Sequence, residues 1–302
     1  MANLQVSIDP FWDFDIGIPG VDVTRWDIKK DGTAPEPGHF DIILTGHWTP
    51  ANGVDIAKNA GARLLQIGSV GFDMLPENVP EGLQVANAST VHETGTSEMV
   101  LTLLLAGVRD IPTIVHNDDH NEWGQFYVDG LADKKVMLIG VGGVGRAIIQ
   151  RLKPFEVDLT LVASHARDEE FGHVHGMDEL NKLLPEQDVV IVIVPANKHT
   201  KGLVNKDFLA QMKDGAYFLN AGRGSVAVTE DLAAEGDRLN LLIDTVDPEP
   251  LPADSPLWGA AKIITSHNAG NSRAMQPRMK ALIERQIRHA LAGEPFENIV
   301  LG

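Results

Sequence analysis

The sequence predicts an α/β protein of two doubly wound parallel sheets flanked by helices, with a cleft between them. Three observations carry this. Short, nearly all-apolar runs alternate with amphipathic stretches of helical length through the middle of the chain. A second, shorter series of the same kind precedes residue 95, and a glycine-rich turn joins strand to helix in the middle series.

With 302 residues the chain can form two domains of ordinary size, each with its own core. Hydrophobic residues make up 43% and charged residues 22%, a balance that sets aside disordered and fibrous classes. The 42 acidic and 25 basic side chains leave a net charge of -17, which repels a polyanion and excludes nucleic acid as a partner. The longest apolar stretch, Met99 to Val108, is interrupted by Thr102 and falls well short of the ~20 residues of a membrane span, so no membrane role is expected. The opening MANLQVSIDPFWDFD lacks the basic and apolar regions of a secretory signal, and a cytoplasmic location is expected. Without cysteine there is no disulfide, thiolate catalyst or cysteine metal site, and no residue is assigned to a metal.

Taken in order, the first strands are Leu4 to Ile8, Asp22 to Trp26, Asp41 to Thr45, Leu64 to Ile67 and Leu83 to Ala86. The helix from Glu98 to Val108 is apolar nearly all round, which requires burial inside a domain or against a second subunit. The second series comprises Val136 to Ile139, Leu159 to Val162, Val189 to Val194, Tyr217 to Leu219, Leu241 to Asp244 and Ile263 to Thr265, each fit to be covered on both faces. Asn205 is suited to cap a helix over Lys206 to Met212, and Thr229 one over Glu230 to Ala234. Gln276 to Ala292 reads as one helix with a short tail, too little to fold alone. It is expected to pack back on the first series, giving a discontinuous domain of residues 1–95 plus 272–302 around a second domain of residues 96–271.

Directly after the strand Val136 to Ile139 comes Gly140-Val141-Gly142-Gly143-Val144-Gly145, then a helical stretch from Arg146. This is G-x-G-x-x-G in its required context. The first glycine permits the tight turn, the second lets backbone approach a pyrophosphate, the third lets helix and strand close, and the helix N-terminus faces the anion. Residues 96–271 therefore read as a Rossmann-like dinucleotide-binding domain. An acid at the end of the next strand would bond the ribose of NAD. Here the strand runs instead into Ala163-Ser164-His165-Ala166-Arg167. Ser164, His165 and Arg167 can all donate to a 2′-phosphate, so NADP(H) is favoured, with NAD(H) as the alternative. The competing arrangement pairs Arg167 with Asp168, Glu169 or Glu170 on the surface.

Three later strands each end in a polar group, at the edge where open α/β sheets bind ligands. Arg223 lies in Asn220-Ala221-Gly222-Arg223-Gly224, where small neighbours leave room for a planar ligand and its fork suits a carboxylate. Glu249 stands between two prolines after Asp244-Thr245-Val246-Asp247, and His267 lies in Ser266-His267-Asn268-Ala269-Gly270. A carboxylate beside an imidazole stabilises its protonated form, which can then give a proton to a keto oxygen.

With these stretches assembled, the chain resembles the D-isomer-specific 2-hydroxyacid dehydrogenases, the family that includes glyoxylate/hydroxypyruvate reductases. Gly68-Ser69-Val70-Gly71-Phe72-Asp73, the glycine turn, Asp188-Val189-Val190 with Pro195 and Thr200-Lys201-Gly202, the NAGRG stretch, Asp244 through Pro252, Pro256-Leu257-Trp258 and His267 through Gly270 match in order. The resemblance implies two Rossmann-like/flavodoxin-like domains, the discontinuous one binding substrate, and reduction of a small 2-keto acid to the D-2-hydroxy acid. It implies Arg223 as the substrate-binding arginine, His267 as the acid/base, Glu249 as its partner and Asp244 as the group near the nicotinamide carboxamide. The backbone amides of Ser69, Val70 and Gly71 would hold the substrate carboxylate. Pro195, Thr200, Ala221, Gly222, Ala269 and Gly270 join the cofactor contacts, and the family's habit implies a homodimer.

The chain departs from the family in carrying Ser266 where proline usually precedes the histidine. Formate dehydrogenases share the fold but resemble a pattern with glutamine in place of Glu249. Related corepressors bind dinucleotide to control assembly, yet resemble chains with extensions that this one lacks. His47, Trp48, Phe72 and Met74 are candidates for the outer wall of a substrate pocket, although aromatic residues near loops more often simply pack.

Overall fold

A computed structural model of the protein describes residues 3–302. The chain divides into two compact units, one formed by residues up to His92 together with Arg273–Gly302, the other by Glu93–Ser272.

The first unit contains β1 (Leu4–Ile8), β2 (Val21–Arg25), β3 (Ile42–Leu44), α1 (Gly53–Asn59), β4 (Leu64–Gln66) and β5 (Gln84–Ala86). The second contains α2 (Glu93–Val108), α3 (Ile111–Asp119), β6 (Lys135–Ile139), α4 (Gly143–Leu152), β7 (Asp158–Ala163), β8 (Arg167–Glu169), β9 (Gly172–Gly176), α5 (Leu180–Leu183), β10 (Val189–Val192), α6 (Lys206–Leu209), β11 (Tyr217–Asn220), α7 (Thr229–Ala234), β12 (Asn240–Ile243), α8 (Leu257–Ala260) and β13 (Ile263–Ile264). The chain then returns to the first unit through α9 (Met275–Ala292) and β14 (Ile299–Leu301).

The first sheet runs β14-β5-β4-β3-β1-β2, parallel except for β14 against β5. Alternation along its strands makes two cores. Val6, Ile8, Ile42, Leu44 and Leu64 pack with Met279, Leu282, Ile283 and Ile287 of α9. Ile43, Leu65 and Val85 pack on the other face with Val54, Ile56 and Ala57 of α1 and with Trp26 and Phe40. Burying each such aliphatic side chain stabilises by about 1.5–3 kcal/mol, so α9 is an integral layer of this unit.

The second sheet runs β13-β12-β11-β10-β6-β7-β9-β8, with only β8 antiparallel. Val136, Leu138, Leu161, Ile191 and Leu219 face α2 and α4, while Met137, Ile139, Val162, Val190 and Phe218 face Leu180, Phe208, Leu209 and Leu232. The apolar helix extends back to Glu93, and its Val100, Leu103, Leu104 and Val108 are buried inside this unit. No single helix among the described residues is long and apolar enough to cross a membrane.

Local expectations fare unevenly. Asn205 caps α6, its side chain accepting from the Asp207 and Phe208 amides at 3.0 and 3.1 Å, although the helix closes at Leu209. Thr229 does not cap its helix. It is the first helical residue, behind Val228, and its hydroxyl donates to the Asp247 carbonyl at 2.6 Å, tying α7 to the loop after β12. The strand expected to reach Val194 ends at Val192, because the chain turns there toward the loop containing Pro195. β2 lies at a sheet edge and is largely exposed, unlike the doubly covered strands beside it.

Candidate active site

The glycine turn has the shape its spacing predicts. Gly140 has φ +113°, and a Cβ on Gly145 would overlap the Gly140 carbonyl oxygen, so neither position accepts a side chain. At Gly142 a Cβ would meet nothing within 4 Å. That open cradle lies over the first turn of α4, whose leading amides have no acceptor within the helix and no side-chain cap. The residues present therefore fit a dinucleotide pyrophosphate.

Beyond β7 the polypeptide forms the hairpin β8–β9, a pair of short polar strands that the sequence does not announce. Arg167 donates through Nε to Glu169 at 2.7 Å and through Nη1 to the His165 carbonyl at 3.3 Å. The second oxygen of Glu169 lies 2.6 Å from a guanidinium nitrogen of Arg146. One carboxylate thus bridges two arginines, and Arg167 does pair with its acidic neighbour. Sequence reasoning passes over Arg146. Its signal is a cation in the first turn of a helix, at the positive end of the dipole, which calls for an anion close by.

The next loops are closed by local bonds. The Thr200 hydroxyl donates to the Pro195 carbonyl at 2.6 Å. A Cβ on Gly222 would come within 2.8 Å of the Val194 carbonyl oxygen, so only glycine lets this loop lie against its neighbour. Arg223 follows, with Nη1 donating to the Gly222 carbonyl at 3.0 Å. Its backbone is fixed by fully buried Asn220, whose amide nitrogen reaches the carbonyls of Arg223 and Thr245 at 3.2 and 3.3 Å. Asn220 is a positioning residue that sequence reasoning did not single out.

Asp244 is 1% exposed, and its Oδ1 accepts from the Thr265 hydroxyl at 2.6 Å and the Asn268 and Ala269 amides at 2.9 and 3.2 Å. Its carbonyl accepts from the His267 amide at 2.6 Å. The loop after β13 is therefore folded around Asp244, and it carries Ser266 and His267 at positive φ, 51° and 55°. On this mount the His267 Nδ1 lies 2.9 and 3.0 Å from the two oxygens of Glu249. Arg223, Glu249 and His267 follow β11, β12 and β13, three adjacent strands of one sheet.

In the first unit, the loop of Ser69, Val70 and Gly71 is held by its carbonyls. The Ala88 amide donates to Ser69, the Asn87 side chain to Val70 at 2.8 Å, and the Ser69 hydroxyl to Gly71 at 2.7 Å. The three amides of this loop donate to no group among the described residues. Asp9, at the end of β1, accepts from the Phe11 amide at 2.8 Å, and burial pushes its carboxyl above the usual range. Trp48, Phe72 and Met74 are exposed, and the His47 ring packs edge-on against Trp48.

The chain is similar to known proteins over most of its length. Residues 101–269 match the model of the D-isomer specific 2-hydroxyacid dehydrogenase NAD-binding domain. The human glyoxylate reductase/hydroxypyruvate reductase is 31% identical over 94% of this chain and 88% of its own length. A family protein from Aeromonas salmonicida superposes with a TM-score of 0.85 at 24% identity, covering 99% of both chains. One from Xanthobacter autotrophicus, solved with NADPH and MES, gives 0.78 at 26% identity, covering 99% of this chain and 98% of that one. The chain belongs to the family of D-isomer-specific 2-hydroxyacid dehydrogenases, NAD(P)-dependent oxidoreductases.

Proposed function

We propose that the protein reduces a small 2-keto acid to the D-2-hydroxy acid, with NADPH as the better cofactor. The observation that carries this reading is the His267 imidazole held by Glu249 at 2.9 Å on a loop built around Asp244. The nicotinamide, when bound, supplies the hydride. His267 gives the proton to the keto oxygen from its other ring nitrogen, and Glu249 stabilises the charged ring and fixes its orientation. Arg223 binds the substrate carboxylate through its fork, and in the first unit the unengaged amides of Ser69, Val70 and Gly71 suit an anion of the same class. Gly140, Gly142, Gly143, Val144 and Gly145 receive the dinucleotide phosphates. Pro195, Thr200, Ala221, Gly222, Asp244, Ala269 and Gly270 line the path toward the nicotinamide. Oxidation of NADPH and NADH against glyoxylate, hydroxypyruvate, pyruvate, oxaloacetate and phenylpyruvate tests the reading. The first two come first because the human relative is described as a reductase of both. Failure to turn over any keto acid overturns it.

Cofactor preference rests on local charge. Arg146 and Arg167 share the single carboxylate of Glu169, which leaves the cluster net positive beside Ser164 and His165. A 2′-phosphate is favoured there, and no acid ends β7 to receive a ribose hydroxyl. NADPH is expected to give the higher kcat/KM, and Ala163→Asp with Arg167→Ala to reverse the order. A wild-type preference for NADH of tenfold, about 1.4 kcal/mol, refutes the placement.

The protein is also expected to form a homodimer. α3 buries none of its residues, and Ile111, Ile114, Val115, Trp123, Phe126 and Tyr127 are exposed in or just after it, an apolar surface that a second subunit would cover. Sedimentation at micromolar concentration showing only a 32.7 kDa species rules this out.

A further inference from the structure

We propose a divalent transition-metal site, for Zn²⁺, on the face of the second sheet's edge formed by His173, His175 and Glu179. His173 and His175 are two apart on β9, so they project from the same face of the strand. Their rings are 4.7 Å apart in an edge-on arrangement. Glu179 comes from the single turn that follows β9, and a ligand atom from each of the three residues lies within 4.8 Å of the others. Asp168 stands directly opposite His173 in the β8–β9 register, its carboxylate 2.7 Å from Nδ1.

The chemistry of the set selects the ion. Imidazole nitrogens with one or two carboxylates suit Zn²⁺ at ~2.0–2.2 Å, whereas Ca²⁺ and Mg²⁺ take oxygen ligands alone. Ligands on a zinc tetrahedron stand ~3.4 Å apart, so the present spread closes by small rotations of exposed and half-exposed side chains. Arg167 and Glu169 alternate with Asp168 along β8, and Arg167 pairs in register with buried Val174, so they face the opposite side of the sheet. The cluster is thus separate from the groups assigned to the cofactor.

Isothermal titration of the tag-free protein with ZnCl₂ tests the site. One ion per chain with micromolar affinity is expected, with MgCl₂ giving no binding. His173→Ala with His175→Ala is expected to weaken binding at least tenfold, and Glu179→Gln, which exchanges a single atom, to weaken it as well without risk to the fold. His116→Ala with His120→Ala, which removes a second histidine pair whose rings lie 4.2 Å apart at the end of α3, is expected to leave the titration unchanged, as is His267→Gln. Absence of stoichiometric binding, or binding that survives in the 173/175 variant, or that is lost in the 116/120 variant or in His267→Gln, overturns the proposal.

Discussion

Replacing His267 by Gln is expected to lower kcat about 10²- to 10⁴-fold, the usual contribution of a positioned proton donor, while the Kd for NADPH stays nearly unchanged. The separation follows from how the residue is mounted. The loop is held by main-chain bonds, the His267 amide on the Asp244 carbonyl and the Asn268 and Ala269 amides on its carboxylate, so changing the ring leaves the mount in place. Steady-state kinetics beside a fluorescence titration with NADPH measures both quantities. Turnover at the wild-type rate would remove His267 from the chemistry.

Arg223→Lys is expected to lower kcat/KM roughly tenfold to more than a hundredfold. A guanidinium can offer a carboxylate two parallel N–H bonds, an ammonium only a point charge, and a charge-assisted bond contributes about 1.5–3 kcal/mol. Asn220 holds the backbone of residue 223 independently of the side chain, so the variant changes the head group and little else. The assay is kcat/KM for the best keto acid, and an unchanged value would make Arg223 structural.

The parts of the fold legible in the sequence are those where burial dictates composition. β6, β10, β11 and β12 are covered on both faces and read as unbroken apolar runs. β8 and β9, with sequences RDE and GHVHG, lie at an edge where one strand needs no apolar face, and nothing in their composition marks them as strands. β14 is invisible for a related reason, being a three-residue antiparallel addition to β5. The site follows the same division. Gly140, Gly142 and Gly145 sit at fixed spacing because backbone geometry demands it, and spacing survives in one dimension. The Glu169 bridge between Arg146 and Arg167 depends on a hairpin folding back toward α4, which spacing does not encode. Thr229 is suited to either of two hydroxyl roles, and only the position of the Asp247 carbonyl decides between them.

The packing of α9 on β1 and β3 sets an order of events during synthesis. The strands that open the first unit leave the ribosome before any residue of the second, yet Val6, Ile8, Ile42 and Leu44 acquire their helical cover only when Met279, Leu282, Ile283 and Ile287 have been made. The second unit is a single uninterrupted stretch and can complete its core as it emerges. The unit begun first is therefore completed last, and the α9 face of its sheet stays without its helical cover while the 180 residues between His92 and Arg273 are added.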